Sequence, residues 1–144
     1  MKHIAIAKTD NSKAAFASGV GVALREGLRL KCPEVLLVVP QNSQLDPGGI
    51  ELVLGRSAGG RLRKGLTATI VAEAPVIRAV TLRKLGGAAS SLVVLAAYLD
   101  PEQTDQALDK LGEIACCVHV VWMPAHLQSL ARTRELELIA LNGR

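Results

Sequence analysis

The chain has 144 residues, enough for one domain with an ordinary core, and its 49% hydrophobic and 21% charged residues exclude global disorder. Phe16, Tyr98 and Trp122 are the only aromatic residues, which argues against stacking platforms for single-stranded nucleic acid and against ring-sandwiching flavin sites. The net charge of +4 is unevenly spread: up to Ser90 there are thirteen Lys or Arg against six Asp or Glu, and beyond it four against seven, so the first half suits an anion, an acidic partner or the acidic half of another copy.

Residues 3–7 read as the first strand. Asp10, Asn11 and Ser12 are competent N-caps for a following helix, on which Phe16, Val20, Leu24 and Leu28 form an i, i+4 stripe. Arg25, Arg29 and Lys31 complement its dipole and Pro33 stops it. Gly19 and Gly21 within this helix cost about 1 kcal/mol each relative to Ala, which implies a neighbour close to the backbone. Residues 34–39 form a second, buried strand closed by Pro40, and Asp46-Pro47-Gly48-Gly49 is a turn signal. For residues 50–65 the spacing of Ile50, Leu54, Ala58 and Leu62 predicts a helix, with a strand and Gly-rich loop as the alternative. Residues 66–74, rich in Thr, Ile and Val, predict the third strand; Pro75 then opens a helix carrying Ile77, Ala79, Val80 and Leu82, capped by Gly86-Gly87.

The strongest signal is the apolar run 92–99, too short for a bilayer and too continuous for a strand with one wet face. Asp100, Pro101 and Gln103 supply an N-cap, an N1 proline and a capping-box partner, and Ala107, Leu108, Leu111 and Ile114 share one face of the helix behind them. A fifth strand is expected over 118–123, a helix over 125–134, and a sixth, edge strand over 135–141, with a continuous helix as the alternative there. This alternation defines one domain over 1–144: a three-layer α/β sandwich with a mostly parallel five- or six-stranded sheet, Rossmann-like.

Cys32, Cys116 and Cys117 are an odd set without framework spacing, expected as reduced thiols of a cytoplasmic protein. No signal peptide or membrane-spanning run is read, so no membrane partner is expected. Ligands of parallel sheets bind beyond the carboxyl ends of the strands, which directs attention to the turn 8–13. There Lys8, Asp10, Ser12 and Lys13, with Asp100 from the fourth strand's end, can receive an anion such as a phosphorylated small molecule; N-capping is the alternative role for the same residues. The Gly-rich stretch 55–65 lacks the P-loop lysine and precedes a strand, and no dinucleotide fingerprint follows the first strand.

Arg56, Arg61, Arg63 and Lys64, joined by Arg78, Arg83 and Lys84, form a basic cluster able to neutralise nucleic-acid phosphates or simply to be solvated. His3, His119 and His126 show no metal spacing, and zinc on Cys116, Cys117 and His119 would need side chains converging from opposite faces of a strand. His126 is the one candidate general base, and Glu73 and Asp100 are carboxylates that could meet across adjacent strand ends. No catalytic residue, metal or cofactor is assigned. The expected function is a binding or interaction module working as a homo-oligomer or on another protein, with phosphate or nucleotide binding at 8–13, or sequence-tolerant nucleic-acid binding by the basic cluster, as alternatives.

Overall fold

The computed structural model describes residues 1–7, 12–41, 50–85, 93–111, 113–121 and 124–139. Its elements in chain order are β1 (Lys2–Ile6), α1 (Ser12–Arg29), β2 (Glu34–Val39), α2 (Ile50–Leu54), α3 (Arg56–Arg63), β3 (Val76–Thr81) with a 3-10 turn (Leu82–Lys84), β4 (Val93–Ala97), α4 (Pro101–Lys110), β5 (Cys116–Val120), α5 (Pro124–Thr133) and β6 (Leu136–Ile139). The strands form a six-stranded, all-parallel sheet in the order β3-β2-β4-β5-β1-β6. With helices on both faces this is a three-layer, Rossmann-like α/β fold.

The two faces are separate cores. On one, Ile4, Ile6, Leu37, Leu95 and Val118 pack with Phe16, Val20 and Leu24 of α1, Ile50 of α2 and Leu62 of α3. On the other, Leu36, Val38, Val94, Ala96 and Cys117 pack with Leu99, Ala107, Leu111 and Ile114 at and around α4. The apolar run read as a doubly covered strand is β4, whose residues alternate between these cores. The chain crosses from β1 to β2 and β3 over the α1 face and returns to β4, β5 and β6 on the α4 face. A single hand of crossover requires such an outward and return path.

The Asp100 capping box is present as expected. Gln103 N–H donates to Asp100 Oδ1 at 2.7 Å and Asp100 N–H donates to Gln103 Oε1 at 3.0 Å, with Pro101 at the first helical position. Residues 50–65 are helical as α2 and α3, broken at Gly55, where φ is +95°. The sixth strand lies at a sheet edge, as expected.

Two expectations are overturned. Residues 66–74 are not a strand: only Ala68 pairs, through a single bridge to Ile77, and Glu73 sits in a turn at φ +67°. The third strand is instead 76–81, the segment read as a helix behind Pro75, and it pairs in parallel with β2 from Glu34↔Val76 to Val39↔Thr81. Ile77 and Val80 suit a helical face, but Ile77, Ala79 and Thr81 are buried alternately with exposed Arg78, and β2 has an edge to pair. Smaller shifts accompany these. The fifth strand starts two residues early, at Cys116, and Leu28 is 54% exposed because Gly27, not Leu28, faces Pro75. The proposed turn 46–49 and the Gly86-Gly87 cap lie outside the described residues.

Of Gly19 and Gly21, only Gly19 answers to a close approach: a Cβ there would lie 2.5 Å from Val120 Cγ2, whereas nothing lies within 4 Å of one at Gly21. Gly19→Ala is therefore expected to lose about 1–2 kcal/mol, overpacking outweighing the helix-propensity gain. Gly21→Ala should gain about 0.5–1 kcal/mol. Urea denaturation midpoints of the two variants check the pair.

Candidate functional site

In a parallel sheet, crevices open at the carboxyl ends of neighbouring strands whose following helices lie on opposite faces. Here these are β5 beside β1 and β2 beside β4. Lys8 and Asp10 lie outside the described residues. Ser12 opens α1, and nothing is described of its side chain. Lys13 is exposed on the first turn of α1. Asp100 is committed to its cap, and among the described residues no ion pair or hydrogen bond joins it to Lys13. His126 stands in the first turn of α5, its Nδ1 buried without a described hydrogen-bond partner. Glu73 and Asp100 do not meet across adjacent strand ends. The former precedes β3 and the latter follows β4, which puts them at opposite ends of a parallel sheet.

The basic cluster is divided. Arg61 Nε donates to the Thr67 carbonyl at 2.7 Å, and Arg56 is almost fully exposed, 3.9 Å from Glu51. Arg63 lies 2.9 Å from Glu51, which is buried under Gly59 between α2 and α3. Arg63 and Lys64 nevertheless join Arg78 and Lys84 around a cavity of about 310 Å3, walled by Leu62, Ala79, Val80 and Thr81 along the outer edge of β3. Arg78 is held by Glu34 at 3.0 Å, while Lys64 and Lys84 have no described carboxylate within ion-pair distance.

Two buried polar groups were not anticipated. Glu26 of α1 is almost completely buried; its Oε2 accepts from Arg29 Nε at 2.8 Å, its Oε1 lies 3.1 Å from Lys2 Nζ, and Lys2 in turn reaches Glu137 at 3.2 Å. The Arg29 hydrogen bond, aided by Lys2, holds the Glu26 carboxyl down to about 2. The neighbouring Cys116 thiol is pushed up to about 11, by burial first and by the Glu26 charge second.

The second group is on the opposite face. His3 is registered with Cys117 across β1 and β5, and His119 stands two residues further along β5, so all three side chains share the α4 face. His3 Nδ1 and His119 Nε2 are 3.0 Å apart, one ring N–H donating to the other ring's lone pair, and the rings stack with centroids 5.3 Å apart. The Cys117 sulfur and one ring nitrogen of each histidine lie within 4.8 Å of one another. Burial lowers His119 to about 3 and raises Cys117 to about 12; it also lowers His3, and the Arg134 charge adds to both histidine shifts. Both rings are thus neutral at pH 7.

The alternation Cys117-x-His119 was visible in the sequence, and a same-face pair could have been read from it. His3 joins that pair only because strand order puts β1 next to β5, which no local pattern encodes. Cys116, by contrast, faces α1 and cannot share the site.

The fold and this site define the protein as a six-stranded parallel α/β domain with a buried His–Cys–His group and a basic sheet edge. No protein-family model, no curated protein and no solved structure matches the chain.

Glu26 sets an acid limit on stability. Its carboxyl has a lower pKa folded than its ordinary 4.5, so its contribution is complete above about pH 4.5 and is lost as the pH falls toward 2. Glu26→Gln should lower stability at pH 7 by about 1–3 kcal/mol. It should also flatten the pH dependence between 4.5 and 2, as read by urea denaturation across that range.

Proposed function

We propose that the protein is a binding module whose basic β3 edge receives a phosphate-bearing partner. The observation that carries this reading is the cavity shared by Arg63, Lys64, Arg78 and Lys84. Arg63 and Arg78 are anchored by Glu51 and Glu34 and form fixed walls, which leaves the two lysines to take an anion as point charges. Its volume, about 310 Å3, is at the small end of ligand-sized sites. The strand edge adds backbone donors: Ile77 pairs outward with Ala68, and by the alternation of a parallel strand Ala79 and Thr81 face the same side. This reading keeps the charge of the expected basic cluster, moves its centre from Arg56 and Arg61 to Arg78 and Lys84, and leaves open whether a small phosphorylated molecule or a nucleic acid supplies the phosphates.

Titration with tripolyphosphate and with a short DNA duplex at several salt concentrations separates those sources and tests the site. Binding should weaken with salt, and Lys64→Glu with Lys84→Glu should reduce the logarithmic salt slope by about 2 for a duplex. Absence of binding of either probe at low salt would refute the proposal.

A second reading, self-association, is supported by the other sheet edge. Beside β6, Leu127, Ala131, Leu136 and Leu138 line a cavity of about 410 Å3, and Leu138 is 56% exposed. β6 is an open strand edge beside this apolar lining, so a second copy can dock its β6 edge against β3 in a head-to-tail, heterologous contact. Sedimentation velocity should then show assemblies that grow with protein concentration and disappear in Leu138→Lys; a wild-type monomer throughout would eliminate this reading.

A further inference from the structure

The geometry points to His3, Cys117 and His119 as a buried, three-coordinate site for one Cu(I) ion. Two imidazole nitrogens and a sulfur converge from adjacent, centrally paired strands, so their backbones are fixed by the sheet and not by a loop. Imidazole and thiolate donors together select soft or borderline metals, copper and zinc above all, over magnesium or calcium. Metal–nitrogen bonds of about 2.0 Å in a trigonal arrangement separate two nitrogens by about 3.5 Å. The present 3.0 Å between His3 Nδ1 and His119 Nε2 therefore needs to open by about half an ångström, within reach of small ring rotations.

Donor count and charge favour Cu(I) over Zn(II). Cys117 and His119 are 0% and 1% exposed, and the group holds three donors, whereas structural zinc takes four. When the sulfur–metal bond forms, the thiol proton leaves to solvent, and the proton held between the two rings moves to the far nitrogen of its own ring, so that both facing nitrogens present lone pairs to the metal. A thiolate with Cu(I) is then neutral, whereas with Zn(II) it keeps a net positive charge. That excess would face the Arg134 guanidinium, which acts on all three side chains and whose own partner is Asp105 at the surface of α4. His3, partly exposed at the start of β1, is the entry point.

The test uses the full chain, reduced and anaerobic, titrated with Cu(I) in competition with a chromogenic Cu(I) chelator. One equivalent should be withdrawn from the chelator, and X-ray absorption of the loaded protein should give a three-coordinate copper with one sulfur and two nitrogen scatterers. Cys117→Ser should remove the sulfur scatterer and weaken binding by more than the roughly 10–100-fold that loss of an outer hydrogen bond costs. Cys116→Ser, on the opposite face, should leave both unchanged. Should Cys117→Ser fail to fold, His3→Gln, at a partly exposed position, provides the same comparison through its nitrogen. Copper retained equally by the Cys117 and His3 variants, a copper bound by Cys116, or Zn(II) held more tightly than Cu(I) would overturn the assignment.

Discussion

Everything in this structure depends on the central strands being covered on both faces. In β4, Val93, Leu95 and Ala97 enter the core under α1 while Val94 and Ala96 enter the core under α4, and β2 and β5 do the same on either side. A strand with no wet face needs a helical layer above and below it, and a parallel sheet needs crossovers long enough to supply them. The outward path over α1 and the return path over α4 follow from that requirement and from the fixed hand of crossovers.

The same covering decides which polar groups are unusual. A charged or polar side chain on a central strand, or on the inner face of α1, has no water to turn to and must find a partner. Glu26 finds Arg29 and Lys2, and His119 finds His3. One group is an anion kept ionised by its cations, and the other a pair of neutral rings beside a protonated thiol. The difference follows from their surroundings: burial first, with the Arg134 charge added to it, disfavours positive charge at the histidines, whereas the Arg29 hydrogen bond and Lys2 hold a negative one at Glu26.

Charge is sorted along the sheet as well. The edge strand β3 carries Arg78 and abuts Arg63, Lys64 and Lys84, and the opposite edge strand β6 carries Glu137, because the topology sends those two strands to opposite edges. An edge strand exposes backbone groups to any passing chain, and charge along it restricts which partners can use them. The proposed roles of the two edges follow from this arrangement and not from any catalytic constellation.

Much of the fold was legible locally. The run that became β4, the Asp100–Gln103 capping box, the α1 stripe from Phe16 to Leu24 and the edge position of the last strand are all local consequences of apolar periodicity and cap chemistry. Over 66–81 local signals misled: Thr, Ile and Val gave 66–74 the composition of a strand, and Pro75 with Ile77 and Val80 imitated a helix start. The matter was settled by which segment could pair with the free edge of β2. The anion site expected around Asp10 was a combination of residue types and lies largely outside the described residues, whereas the basic cavity required Arg63 and Lys64 to meet Arg78 and Lys84 across the α3–β3 connection. The His3–Cys117–His119 group is the clearest case: His3 is separated from Cys117 and His119 by more than a hundred residues and becomes their neighbour only when β1 inserts between β5 and β6. By itself, then, the sequence determined the layers, the caps and most of the strands, since these depend on residues a few positions apart. Strand order, and with it every cluster of side chains drawn from distant strands, was decided by the tertiary structure, because pairing is a competition among edges that no short stretch of chain contains.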